Sequence, residues 1–204
     1  MVSPCSFDRV VSTWLSQGPV YDFVQHAIGE AADAHGHFQL QRPYVKIRNQ
    51  SGDIVETVRS NVPDLILTTT TLQESATVQR GAVLFTRFRR GQPFPGEPAL
   101  VWTINGEKGE LRIVARGGTA LHANAYMDEV TFEIHNFETD EVQPVEWSWQ
   151  PWQEELPYIA RSVGALYEAF ADGRTGVDYP SFKDALRRHE QLENLLLSFE
   201  SEND

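Results

Sequence analysis

One cysteine in 204 residues, Cys5, has no partner for an internal disulfide and cannot build a thiolate cage around a metal. That usage suits a reducing compartment, and a cytoplasmic protein is expected. The sequence has no run of about 18 apolar residues to span a bilayer, and its opening, MVSPCSFDRVV, lacks the charged-then-apolar order of a signal peptide. Neither a membrane segment nor export is expected. Positive charge is scarce: 17 Lys+Arg stand against 29 Asp+Glu, a net charge of −12, which repels phosphate backbones and anionic head groups. This argues against nucleic-acid and membrane partners. The basic residues gather once, at Arg80, Arg87, Arg89 and Arg90, where alternation with Phe85 and Phe88 reads as a strand edge.

Hydrophobic residues make up 41% of the chain and aromatic residues 11%, enough to bury a core, and the length predicts a single domain over residues 1–204. Residues 19–30, PVYDFVQHAIGE, have proline at the first turn, apolar residues at helical spacing and a closing Gly29, which predicts a short amphipathic helix. Residues 7–15 fit either a helix or a strand. From Phe38 to about 148 the pattern changes to short runs of Val, Ile, Thr and aromatics separated by turn residues. Eight strands are predicted, near 38–48, 54–59, 64–72, 78–89, 99–105, 110–116, 129–136 and 142–148. Such short connections favour antiparallel hairpins, because a parallel crossover needs a dozen or more residues.

Two helices are predicted within 155–199, one with Leu156, Ile159, Val163, Leu166, Tyr167 and Phe170 on a face, the other with Phe182, Leu186, Leu192, Leu195, Leu196 and Phe199. Both are expected to pack on the sheet. The predicted fold class is α+β, an open, mainly antiparallel sheet with helices on one face, and the other face needs a cover of its own.

Several side chains could carry chemistry. Asp22 and His26 are spaced i, i+4 on the first helix, where a carboxylate can orient an imidazole for acid–base work or simply form a surface pair. His35 and His37 form an HxH pair that could begin a metal site, but no third ligand is identifiable, and a surface pair is expected. His122, Asn124 and Tyr126 alternate in a polar loop or strand, and His189 falls on the apolar stripe of the last helix. Trp102 lies in a strand, and Trp147, Trp149 and Trp152 cluster in WSWQPW, where rings of this size fill a core or line a pocket for an apolar ligand.

The stretches LQRPYVKIRNQSGDIVETVRSNVPDLI, FRRGQPFPGEPALVWTINGEKGELRIVA and YPSFKDALRRHEQLENLL resemble the carboxy-terminal domain of fungal Gfo/Idh/MocA-type oxidoreductases, in the branch that includes the galactose-pathway repressor of yeasts. The resemblance covers about residues 18–199. It implies an open sheet that closes over a Rossmann domain, supplies the substrate side of the active site and often dimerises through the sheet. The dinucleotide fingerprint GxGxxG, whose glycines let a pyrophosphate approach a helix N-terminus, occurs nowhere in the sequence. The Rossmann domain, with the family's catalytic lysine, is therefore expected to be missing. The family's GHxxD histidine is also replaced, because the matching stretch is Gly18, Pro19, Val20, Tyr21, Asp22. Hydride transfer is not expected, and neither is a bound cofactor or metal.

The leading expectation is a stand-alone substrate-domain relic acting as a cofactor-independent cyclase or isomerase, for example in an intramolecular Diels–Alder reaction of fungal specialised metabolism, where orientation alone can supply about 7 to 11 kcal/mol in favourable cases. Tyr21, Asp22 and His26 are its catalytic candidates. Trp102, Phe85, Arg87, Trp147, Trp149 and His122 are its pocket candidates, with a small apolar molecule as substrate and a homodimer as the assembly. The alternative is a non-catalytic regulator or protein-binding module related to the repressor.

Overall fold

The structure is a computed structural model that describes residues 20–91, 94–118, 130–174 and 179–203, and in these the chain divides into two compact units, 1–91 with 181–204 and 92–180. His122, Asn124 and Tyr126 lie outside the described residues, as does the segment 7–15. The described strands form three antiparallel sheets. No described helix is long and apolar enough to cross a membrane.

The first unit begins with helix α1, residues 20–28, which ends at Gly29 with φ 102°. Its last turn closes through a bond from the Gly29 N–H to the Gln25 carbonyl, 2.9 Å, in the left-handed conformation that glycine adopts without a side-chain penalty. Strands β1 (Ala31–Gln39), β4 (Leu65–Leu72) and β5 (Val83–Arg89) form one sheet in the order β1-β4-β5, and β2 (Tyr44–Arg48) and β3 (Ile54–Arg59) form a separate ribbon. The strand expected over 38–48 is thus two. Between them Asp64 accepts hydrogen bonds from the backbone N–H groups of Gln41 and Arg42 at 2.7 and 3.1 Å and from Arg42 Nε at 2.8 Å, which turns the chain at Pro43 into the ribbon. Burial alone would raise the Asp64 carboxyl, and the bonds from Arg42 and Gln41 overcome it and hold the group below the usual carboxylate range.

Helix α4 (Phe182–Asn203) returns to this unit and packs on β1. Leu192, Leu195 and Leu196 meet Tyr21, Phe38 and Ile66 in one buried cluster. Gly36 of β1 lets α4 approach, because a Cβ there would lie 2.4 Å from Phe38 Cε2 and 3.1 Å from Leu195 Cδ2.

In the second unit, β6 (Leu100–Asn105), β7 (Gly109–Ala115), β8 (Val130–Asn136) and β9 (Glu141–Pro144) form a four-stranded meander. The 105–110 turn joins β6 to β7 as expected. Residues 145–150 take no regular structure and lead into α2 (Pro151–Glu154), a 3₁₀ turn (Tyr158–Ala160) and α3 (Arg161–Ala171). Helix α3 packs with α2 and the 3₁₀ turn. Its small residues, not its large apolar ones, face inward: a Cβ on Gly164 would sit 2.8 Å from Leu156 Cδ1 and 3.1 Å from Trp152 Cζ3.

Candidate functional site

The three candidates on α1 have different surroundings. Tyr21 is buried, and its hydroxyl shares a short hydrogen bond with Thr68 Oγ1, which in turn bonds Thr86 Oγ1 at 2.5 Å. Burial raises the Tyr21 phenol above its ordinary value, and the bonds with Thr68 and Thr86 only partly oppose this. A neutral phenol in a chain of hydroxyls running from α1 through β4 to β5 ties the helix to the sheet. Asp22 is exposed, with Oδ1 3.5 Å from Arg188 Nε, and His26 is exposed.

Beside them lies a polar clamp with no local sequence signal. Arg188 on α4 is buried and holds Glu30 through two parallel bonds of 3.1 Å, while its Nη1 also donates to Gln191 Oε1 at 2.7 Å. Gln191 and the buried Gln25 pair through their amides at 3.2 and 3.4 Å, and Gln25 Oε1 accepts the Ala31 N–H at 2.8 Å. A forked guanidinium–carboxylate pair satisfies a charge that would otherwise be very costly to bury. The clamp fastens the end of α1 and the start of β1 to α4.

Phe85 and Arg87 fall on the open face of the first sheet, away from α1 and α4. Direct cross-strand partners share a face, so the register places His35, Thr69 and Phe85 in one row, His37, Leu67 and Arg87 in the next, and Gln39, Leu65 and Arg89 in a third. Val83 and Phe85 are 65% and 61% exposed, and Arg87 is exposed. His35 and His37 do share this face, as an HxH pair on a strand must. Asp33 Oδ1 accepts the Thr71 N–H at 3.0 Å and its Oδ2 lies 3.9 Å from His35 Nε2. Among the described residues no group of three or more His, Cys, Asp or Glu is placed to hold a metal. Among the described residues of the three strands, this face carries Arg87 and Arg89 against the one acid Asp33, a locally basic balance on a chain of net charge −12.

The other pocket candidates belong to the second unit. Trp102, Ile113 and Phe132 form one cross-strand row on the apolar face of the meander. From Phe132 a series of edge-to-face contacts runs to Trp147 at 6.1 Å, from Trp147 to Trp149 at 5.2 Å and from Trp149 to Tyr158 at 6.0 Å. The Arg161 guanidinium lies 5.0 Å from the Tyr158 centroid and 5.9 Å from that of Trp149, anchored by bonds to the carbonyls of Leu156 at 3.3 Å and Glu154 at 3.2 Å. The structure therefore brings Trp147 and Trp149 together and adds Phe132, Tyr158 and Arg161. The alternation in VTFEIHN marks Phe132 as inward, whereas Arg161 carries no signal in the sequence.

No protein-family model and no curated protein matches the chain. Solved structures do. A super-repressor mutant of Gal80p from Saccharomyces cerevisiae is similar with a TM-score of 0.66 at 18% identity, over 89% of this chain and 46% of that one. The transcriptional regulator Gal80p from Kluyveromyces lactis is similar with a TM-score of 0.67 at 18% identity, over 95% of this chain and 46% of that one. A protein described as an NADPH-dependent oxidoreductase from Desulfitobacterium hafniense gives a TM-score of 0.53 at 12% identity, over 89% of this chain and 43% of that one. The chain spans less than half the length of each. These similarities show a Gfo/Idh/MocA-like fold of helices with open, mostly antiparallel sheets, as the sequence resemblance implies.

Proposed function

We propose that the chain is a non-catalytic protein-binding module with a regulatory role, and that the open face of its first sheet receives an acidic segment of another protein. The observation that carries this reading is the exposed Val83 and Phe85 beside Arg87 and Arg89, a locally basic, partly apolar face on a strongly acidic chain. The Gal80p structures, one of them described as a transcriptional regulator, lend support at the level of fold. Tyr21 and Asp22 add support from the other side. A phenol bonded into a hydroxyl chain and a carboxylate beside a buried arginine serve α1 packing.

A photo-reactive phenylalanine analogue at position 85, introduced in cells that make the protein, tests this reading. A discrete crosslinked partner that disappears when Arg87 and Arg89 are both replaced by Glu supports it. Crosslinks indistinguishable from those at an exposed control position such as Glu110 contradict it.

The series Trp102, Phe132, Trp147, Trp149 and Tyr158 favours a second reading, a ledge for a small apolar ligand, including a cyclisation substrate held in a reactive pose. Saturable quenching of tryptophan fluorescence by a conjugated polyene, lost in Trp147→Ala, is its expected result.

A further inference from the structure

Among the described residues Arg161 is a fixed cation that makes no ion pair. Its Nε and Nη2 donate to the carbonyls of Leu156 and Glu154, which closes the turn after α2, and its guanidinium lies over the rings of Tyr158 and Trp149. Carbonyl dipoles and ring faces hold a guanidinium in place but do not neutralise it. The remaining nitrogen, Nη1, carries two N–H donors and has no hydrogen-bond partner among the described residues. Glu154 and Glu155 precede Arg161 on the neighbouring turn and are exposed, yet neither forms an ion pair with it. Other arginines of the same unit are paired, Arg112 with Glu133 at 2.6 Å and Arg174 with Glu168 at 3.4 Å.

We propose that Arg161 and the tryptophan series form a binding site for an organic carboxylate with an apolar body, an alkanoate or aryl-alkanoate. The inference rests on the ledge reading above and names the ligand of that ledge. Trp147 is 47% exposed and Tyr158 36%, so the series presents ring surface to solvent on either side of Trp149. One end of it is apolar and the other cationic. The rings step 5.2 Å from Trp147 to Trp149, and the guanidinium carbon of Arg161 follows 5.9 Å from the Trp149 centroid.

A ligand laid along this line covers Trp147 and Trp149 with its apolar body, and its carboxylate accepts a charge-assisted hydrogen bond from Arg161 Nη1. A neutral ligand of the same shape gains the ring contacts alone, and an ammonium meets a like charge. Because the guanidinium is already held by two carbonyls and two rings, little side-chain freedom is lost when the carboxylate arrives. A ledge covers only one side of its ligand, which sets a weak, reversible affinity and leaves selectivity to the head group.

The test titrates the tryptophan fluorescence of the full chain at neutral pH with octanoate, octanamide and octylammonium, which share an alkyl tail and differ in head-group charge. Octanoate is expected to quench saturably and at least about tenfold more tightly than octanamide, and octylammonium is expected not to saturate. In Arg161→Gln, shown to fold by a thermal melt, the difference between octanoate and octanamide is expected to collapse to about twofold or less. In Trp147→Ala both responses are expected to be lost. Equal affinity for octanoate and octanamide in the unmodified chain, or a preference for octanoate that Arg161→Gln retains, would overturn the carboxylate assignment and leave the ledge reading standing. Saturable quenching by none of the three would overturn both, and octanoate binding that survives Trp147→Ala would place its site elsewhere and overturn the proposal.

Discussion

At Tyr21 a single buried hydroxyl joins the first helix to the sheet. The sequence resemblance puts it in the turn where the resembled family carries a proton-transferring histidine, and its phenol is buried and bonded to Thr68. Because burial raises its folded-state value above the unfolded value of about 10, the neutral phenol contributes stability that is fully present below about pH 10 and lost as the pH rises beyond it. Chemical denaturation between pH 8 and 11 is expected to show an alkaline loss of stability that Tyr21→Phe largely removes. At neutral pH the same substitution is expected to cost about 0.5–1.5 kcal/mol, the net worth of one hydrogen bond, since Thr68 keeps Thr86 as a partner. An unchanged alkaline profile in Tyr21→Phe would show that another group sets it. Of the residues picked from sequence, Tyr21 was legible as a position on α1 but not as a buried one, because nothing in PVYDFVQHAIGE says which helical face meets Thr68, 47 residues away.

At the scale of elements, the clamp and the packing of α4 explain what sequence patterns could and could not show. Helix α1 was readable from Pro19 and Gly29, and the β6–β7 hairpin from its turn, because both signals are local. Strand β1 was missed over 31–37. Its sequence, AADAHGHFQ, is rich in Ala and Gly, which disfavour strands, and only pairing with β4 and the close approach of α4 over Gly36 make it one. The clamp was equally invisible, since Glu30 and Arg188 are 158 residues apart in the chain. Its energetics are asymmetric. Glu30→Ala removes both forked bonds from a buried guanidinium and leaves it Asp22 at 3.5 Å and Gln191, and is expected to cost about 3 kcal/mol. Arg188→Met replaces the cation with an apolar chain of similar length and is expected to cost clearly less. Urea denaturation of the two variants gives the comparison, and a larger loss in Arg188→Met would mean that the clamp stabilises by attraction rather than by satisfying a buried charge.

For the whole molecule, chain order and spatial order differ. Residues 181–204 follow the second unit in sequence but belong to the first, where α4 supplies three of the six leucine, isoleucine and aromatic residues of the buried cluster. A chain truncated after Pro180 is therefore expected to lose the cooperative unfolding of the first unit, seen as a lost transition in a thermal melt, while the Trp147–Trp149 exciton signal of the second unit persists in circular dichroism. Loss of both signals would show that the units depend on each other to fold. Composition and strand spacing report the number and sense of strands, but not which stretch of chain returns to which unit.

The central claim is that this fold acts by binding a protein through a basic sheet face rather than by chemistry on α1. It is tested most directly by rescue of a deletion phenotype in the cells that make the protein, with two variants expressed at matched levels. The account predicts that the Tyr21→Phe/His26→Ala double variant restores the phenotype and that the Arg87→Glu/Arg89→Glu double variant does not. The opposite pattern, rescue by the sheet-face variant and failure of the α1 variant with its fold intact, would contradict the account and return catalysis to the first helix.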